Sequence, residues 1–569
     1  GGAQLVCFPE LCISGYGAED AFSWPHTLEQ SLGVLERLLP DTLGLVVALG
    51  LPLALGERVF NTVALVVDGV VVGVAAKRHL AGSGLHYEPR WFTSWPRGTT
   101  SVVSLFGRDV PIGDFVFEVG GVRLGFEICE DAWVVERPGF ELRAAGVDLI
   151  LNPSASHFAF GKHEVRRGLV LAGARNFGAA YLYVNLLGNE AGRAIYDGDA
   201  LLATRGEIQI EAARFSFSPH RITWGLVDVD AERAARAPAE GEGAPTRPIL
   251  ASEFDWTRRG PEPVLSPHVD PAVSKEEAFA KTIALGLFDY LRKTRSRGFV
   301  VSLSGGCDSA ACAVLVRLVV RLATLELGLD GLARALAPTF RGIVPASEEE
   351  ATRALLMTAY QSTDNSGEVT RSAARGLAEA LGAEHFEWDV QEFVDGYRER
   401  VEEALARPLS WETDDVALQN IQARVRAPSV WMLANVRGAL LISTSNRSEA
   451  AVGYATMDGD TAGGLSPLAG IDKAYLRKWL VHVEKHGVAG LEPIAALAAI
   501  NEQAPTAELR PAARAQTDEG DLMPYDVLDV AERAAIVERL SPRRVLDVLS
   551  ERFPEYTRAE LVLWTTRFF

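Results

Sequence analysis

The run Ser304-Gly305-Gly306-Cys307-Asp308-Ser309 separates an apolar stretch, FVVSL, from an alanine-rich stretch of helical character. A buried strand that breaks at paired glycines and passes straight into a helix gathers free backbone N–H groups at the helix's positive end. The anion that suits such a nest is phosphate. The hydroxyls of Ser304 and Ser309 add donors. A carboxylate in a phosphate nest is repulsive by itself, so Asp308 is expected to hold Mg2+ against the phosphate oxygens. This is not a Walker loop: the single Gly-Lys pair, Gly161-Lys162, lacks the upstream glycine and the following Ser or Thr. A second group of reactive residues lies far upstream. Glu10 (CFPELCISGY), Lys77 (AAKRHL) and Cys129 (GFEICEDAW) each follow an apolar run. Placed at the ends of successive strands, they converge at one edge of a layered fold.

The elements that must position these residues fall into two blocks. Up to about residue 230 the chain reads as short β-branched runs such as LGLVVALGL, TVALVVDGVVVGVAAK and VDLILNPS, with polar helical stretches between them. Several runs are continuous rather than alternating, as strands buried on both faces require. Residues 232–273 are rich in Pro, Gly and charge and read as a linker. A helix is expected from Ser274, with Ser274 and Glu277 spaced as a capping box. The strands FVVSL and FRGIVPA and further α/β alternation follow. The expected domains are thus 1–231, a linker, and 274–569.

Composition narrows the function. Acidic residues outnumber basic ones, 75 to 56, which argues against nucleic-acid binding through bulk charge. Five cysteines imply no disulfide framework and fit a reducing cytoplasm. The longest uncharged run, Thr42–Gly56, is too short to span a bilayer and contains glycines and a proline.

The Ser-Gly-Gly-x-Asp-Ser turn resembles the pyrophosphate loop of the N-type ATP pyrophosphatases, which adenylylate an oxygen before ammonia attacks. Within that group, NIQARVR (420–426), STSNRSEAAVGYATMDGDTAGGLSPL (443–468), Lys473, APTAEL (504–509) and LMPYDVLD (522–529) resemble the NAD synthetases in order and spacing. The resemblance covers residues 275–569 and implies a doubly wound parallel sheet. It assigns Ser304, Gly305, Gly306, Asp308, Ser309, Thr444, Lys473 and Thr506 to ATP, with Met357, at the end of the domain's second strand, on the adenine side. It assigns Asp308 and Glu449 to Mg2+, and Arg424 and Asp460 to deamido-NAD. Relatives usually continue into a basic segment, whereas this sequence stops at Phe569.

The Glu10, Lys77 and Cys129 set resembles the nitrilase superfamily, an αββα sandwich in which these residues form the catalytic triad. The resemblance implies that Cys129 attacks a carboxamide to form a thioester, Glu10 moves the proton, and Lys77 stabilises the oxyanion. Glu88 matches a supporting glutamate; Ser156 and Lys162 fall where related amidases hold glutamine's α-carboxylate end. After Lys77 such proteins commonly have Leu-Pro-x-Tyr, but this chain has Leu80-Ala81-Gly82-Ser83, leaving His86 or Tyr87 to replace the tyrosine. The sequence also lacks, before LVCFPEL, the first strand and helix expected of that fold. Cys7 and Cys12 read as small core hydrophobes.

Together the halves imply a cytoplasmic homo-oligomer that uses glutamine, ATP and deamido-NAD and touches neither nucleic acid nor membrane. Ammonia made in one half would pass internally to the other. The rival readings are a carbon–nitrogen hydrolase with an inactive synthetase half, a different glutamine-dependent ATP-pyrophosphatase amidotransferase, and a non-catalytic nucleotide-binding module.

Overall fold

The computed structural model describes residues 2–236, 247–256, 268–269, 273–503, 508–511 and 517–569. It divides into two compact units, Gly1–Val273 and Ser274–Phe569.

The first unit holds two large sheets. One contains β1 (Leu5–Cys7), β2 (Val46–Leu55), β3 (Arg58–Val67), β4 (Val70–Ala76), β5 (Thr100–Leu105) and β6 (Arg108–Gly113), in the order β1-β2-β3-β4-β6-β5. The other is built on β7 (Val116–Val119), β8 (Val122–Phe126), β9 (Leu149–Ser154) and β10 (Ala180–Asn185). A separate ribbon of β11 (Leu187–Glu190) and β12 (Ala194–Asp197) precedes β13 (Ala200–Thr204) and β14 (Glu207–Glu211), which rejoin the second sheet beside β10.

Continuous burial along β2 follows from the layers on both of its sides. One face, with Val46, Val63 and Leu65, meets Phe117, Leu124 and Leu151 of the opposing sheet. The other, with Leu49, Leu51 and Val66, packs on Leu35 of α1 (Pro25–Leu38). Behind the second sheet, Ile150, Tyr181 and Leu201 meet Leu142 of α2 (Gly139–Ala144) and Val170 and Phe177 of α3 (Lys162–Phe177). Each enclosed aliphatic side chain contributes about 1.5–3 kcal/mol. The result is the expected helix–sheet–sheet–helix sandwich.

The linker expected over 232–273 needs correction, because its described parts belong to the sandwich. Residues 229–235 are helical, and Arg233 and Arg236 hold the buried Asp148 at 2.6 and 3.1 Å. β15 (Ile249–Ser252) runs parallel to β7, and β16 (His268–Val269) runs parallel to β14. Leu250 and Trp256 pack on the inter-sheet core, and the Trp256 indole donates to the Val119 carbonyl at 2.8 Å. Pro and Gly mark breaks in the chain, but PILAS between them is enough apolar sequence to form an edge strand.

The second unit has one sheet of four parallel strands: β17 (Phe299–Ser302), β18 (Leu356–Ser362), β19 (Glu384–Asp389) and β20 (Leu440–Ile442). Their order, β19-β18-β17-β20, reverses direction at β17, so the loops leaving β17 and β20 open a crevice at the carboxyl edge. α4 (Lys275–Thr294) starts at Ser274, whose hydroxyl accepts from Glu277 N at 3.1 Å. FRGIVPA is not a strand: Arg341 and Gly342 have φ of 51° and 80°, which no extended run allows, and β18 begins only at Leu356. Met357 is therefore also corrected. It lies at the amino end of β18, away from the ligand edge, and packs with Val300, Val430 and Leu441 as a core residue.

Candidate active site

In the first unit Glu10 follows β1, Lys77 follows β4 and Cys129 follows β8. Lys77 Nζ donates to Glu10 Oε1 at 2.6 Å and to Glu88 Oε1 at 2.8 Å, and all three side chains are fully enclosed. Asn61 donates to Glu10 Oε1 at 2.7 Å, Tyr16 donates to Glu88 Oε1 at 2.7 Å, and the Ala81 amide donates to Glu88 Oε2 at 3.1 Å. Burial by itself lowers the Lys77 pKa; the two carboxylates outweigh it and hold the ammonium well above its ordinary range.

Cys129 feels the charges of Glu10, Lys77 and Glu88. Burial, and then Glu10, push its thiol up, so it rests protonated and needs a base. Glu10 Oε2 is buried and has no hydrogen-bond partner among the described residues, so one carboxylate oxygen remains to take that proton. The Cys129 backbone has a φ of 46°, a conformation that costs a non-glycine residue about 1–3 kcal/mol. Asp131 fixes it in place: its carboxylate accepts from Ile128 N at 3.0 Å and from His79 N at 2.9 Å.

Around this cluster, Ser156 is buried, with its hydroxyl accepting from Arg166 Nε at 3.3 Å. Lys162, the first residue of α3, lies 3.3 Å from His157 Nδ1 and stands over the Trp133 ring. Burial and then Arg166 lower its pKa to about 8. Of the two candidates for the missing tyrosine, His86 turns inward, 3.0 Å from the Tyr16 hydroxyl and 2.9 Å from His157. Tyr87 is exposed under the Arg193 guanidinium. Tyr16, Asn61 and His157 were not singled out by the sequence reading; a polar side chain that serves a cluster only after folding has no local signature.

In the second unit the turn after β17 makes Gly306 the N-cap of α5 (Cys307–Ala335), with Asp308 and Ser309 in its first turn. Ser309 Oγ accepts from Ser304 N at 3.2 Å and so shapes the turn. Gly305 has a φ of 82°, and a Cβ there would lie 2.2 Å from the Thr370 carbonyl oxygen. Gly305→Ala should therefore open the turn and weaken its binding of inorganic pyrophosphate about tenfold or more. Calorimetric titration with pyrophosphate measures it; an equal affinity in the variant would refute the tight fit.

Asp308 and Glu449 both meet the Lys473 ammonium, Glu449 at 3.0 Å. Asn446 ties the pieces together: its Nδ2 donates to Asp308 Oδ1 at 3.0 Å, and its Oδ1 caps α6 (Arg447–Val452) by accepting from Glu449 N at 3.0 Å. Lys473 opens α7 (Lys473–His486), and its amide donates to Ser448 Oγ at 3.0 Å. Burial and then Asp308 push Glu449 up to about 7. Two carboxylates that repel each other and share one ammonium are a donor set suited to a hard divalent cation. Among the described residues no cluster of three or more His, Cys, Asp or Glu could hold a metal, so phosphate oxygens would have to complete the shell.

Thr444 lies, partly buried, in the loop after β20. Asp460 accepts from Thr456 N at 3.1 Å, and its carbonyl accepts from the Ser445 hydroxyl at 3.2 Å. Arg424 is exposed and donates to the Met457 carbonyl at 3.0 Å. Thr506 lies outside the described residues.

A sealed thiol–lysine–glutamate cluster on an αββα sandwich, and a carboxylate-flanked phosphate turn at a parallel sheet's switch point, define a class: an amide hydrolase fused to an ATP-dependent ligase. The model of the carbon–nitrogen hydrolases matches residues 1–236, and that of NAD synthase matches residues 279–551. The glutamine-dependent NAD(+) synthetase of Bos taurus is 31% identical over 95% of this chain and 82% of its own length. That of Saccharomyces cerevisiae is 28% identical over 100% and 85%. The crystal structure of a glutamine-dependent NAD(+) synthetase from Cytophaga hutchinsonii matches with a TM-score of 0.82 at 40% identity, covering 99% of this chain and 85% of that one. The chain belongs to the glutamine-dependent NAD(+) synthetase family.

Proposed function

We propose that the first unit hydrolyses glutamine and the second uses the ammonia to turn deamido-NAD into NAD, with ATP split to AMP and pyrophosphate. Cys129 gives its proton to Glu10 and attacks the carboxamide carbon while Lys77 holds the oxyanion. Glu10 passes the proton to the departing ammonia and then takes one from the water that releases glutamate. Glu88 keeps Lys77 in place. Ser156 and Lys162 hold the substrate's α-carboxylate end.

In the second unit the amides and hydroxyls of Ser304, Gly305, Gly306 and Ser309, together with Thr444 and Thr506, grip the phosphates of ATP. Arg424 and Asp460 orient the dinucleotide. Its nicotinate carboxylate attacks the α-phosphorus, pyrophosphate leaves under the charge of Lys473, and ammonia displaces AMP from the acyl carbon. Asp308 and Glu449 would hold Mg2+, which when bound neutralises polyphosphate charge. No described helix is long and apolar enough to cross a membrane. We place the protein in the cytoplasm, as a homo-oligomer.

The observation that carries this reading is the buried, unpartnered Glu10 Oε2 on a carboxylate whose other oxygen Lys77 and Asn61 hold, a base left ready for the thiol. Incubation with deamido-NAD, ATP, Mg2+ and either glutamine or ammonium should yield NAD, AMP and pyrophosphate in equal amounts. Release of ADP, or glutamine hydrolysis without any AMP, would refute it; the latter is the outcome for a hydrolase with an inert second half.

Lys162 gives a pH test of the glutamine site. A lysine with a pKa of about 8 is charged below that pH and loses its proton as pH rises through it. The KM for glutamine should therefore climb several-fold above pH about 8, and Lys162→Met should raise KM at pH 7 and flatten the climb. An unchanged slope in the variant removes Lys162 from the carboxylate role.

A further inference from the structure

Arg424 and Arg426 are two positions apart on the helix Asp415–Arg437, and residues so spaced leave a helix in different directions. Arg424, which the family motif marks, is the exposed one. Arg426 turns inward. Its Nε is sealed from solvent and has no hydrogen-bond partner among the described residues, and no ion pair there involves its guanidinium. The charges that face it are those of Asp460 and Glu508, with the phenol of Tyr360. Both carboxylates have other bonds: Asp460 accepts from Thr456 N, and Glu508 accepts from the Thr370 hydroxyl at 2.9 Å. Burial draws the Arg426 pKa below its ordinary value, but a guanidinium starts so high that it stays charged near neutrality.

These neighbours locate the residue. The Tyr360 hydroxyl lies 3.1 Å from Thr370 Oγ1, and the Thr370 carbonyl is the atom against which Gly305 is pressed. Asp460 takes the hydroxyls of Ser443 and Ser445 on the loop carrying Thr444, and it feels Asp308 and Lys473. Arg426 therefore sits among groups that reach the phosphate turn from both flanking strands, β18 and β20. A planar fork of N–H donors, sealed at Nε, partly open at its tips and unmatched by protein among the described residues, suits an oxyanion brought in by ligand.

We propose that Arg426 grips phosphate oxygens of the nucleoside triphosphate, and of the pyrophosphate cut from it, in the synthetase site. This rests on the ATP-dependent reading of the second unit. The test uses the full chain, with NAD formation driven by ammonium so that the glutamine site plays no part. Arg426→Gln should raise the KM for ATP and the inhibition constant of added pyrophosphate about tenfold or more, Arg426→Lys should recover part of each, and the KM for deamido-NAD should stay within about twofold. Unchanged ATP and pyrophosphate constants would overturn the proposal, as would a change confined to deamido-NAD, which would assign the guanidinium to the dinucleotide. If Arg426→Gln does not fold by thermal melting, Arg426→Lys carries the test through the same constants. A wild-type chain that makes no NAD from ammonium refutes the underlying function; an active wild type with unaltered variants refutes only the role of Arg426.

Discussion

Replacing Cys129 with alanine should abolish NAD formation from glutamine, by about 10³-fold or more, while leaving formation from ammonium within about twofold. The asymmetry follows from the architecture. Cys129 belongs to a cluster closed within the first unit, and the phosphate turn, Asn446 and Lys473 all belong to the second. The substitution removes the nucleophile but leaves the Lys77 bridge between Glu10 and Glu88 intact, so the unit should melt close to the wild-type temperature. Initial rates of NAD formation with each nitrogen source decide the matter. Full activity on glutamine would mean that the thiol is a packing residue, and loss of both activities would mean that it acts through the fold.

Lys473→Met should have the complementary effect. ATP turnover should fall by about 10²–10⁴-fold with either nitrogen source, while glutamine is still hydrolysed at Cys129. The side chain is enclosed and meets Asp308 and Glu449, and its removal leaves two carboxylates facing each other. Breaking such a pair costs about 3–5 kcal/mol, so the second unit should also melt earlier. Glu449, already pushed up to about 7, should rise further and take up a proton near neutrality. AMP release and calorimetry measure the two effects; wild-type AMP release would exclude Lys473 from the phosphate chemistry. Adding excess Mg2+ should restore part of the stability but not the rate.

Much of this was legible in the sequence because the reactive residues sit where local signals are strongest. Glu10, Lys77 and Cys129 each end a β-branched run, and the turn at 304–309 carries its own glycines. The partners were not legible, because their roles depend on distance in sequence. Asn446 holds Asp308 from 138 residues away, although as the N-cap three residues before Glu449 it had a readable local role. Asn61 and Tyr16 look like any strand or turn residue until the layers close on Glu10 and Glu88. The motif marks Arg424 and leaves Arg426 without a role; which of the two turns inward depends on the helix's packing. Met357 and FRGIVPA failed for a related reason. A short apolar run does not reveal its direction or register, and the left-handed residues at 341 and 342 convert a plausible strand into a turn.

The two outlying strands Ile249–Ser252 and His268–Val269 bear on any attempt to obtain the hydrolase as a free-standing catalyst. Severing the chain after Arg236, where the carbon–nitrogen hydrolase match ends, would leave β7 and β14 with bare backbone along both margins of the eight-stranded layer. Such margins recruit strands from other molecules, and the lost Leu250 and Trp256 would uncover core surface besides. A cut beyond Val273 keeps both selvedges sewn, and that is the piece expected to remain monodisperse at high concentration.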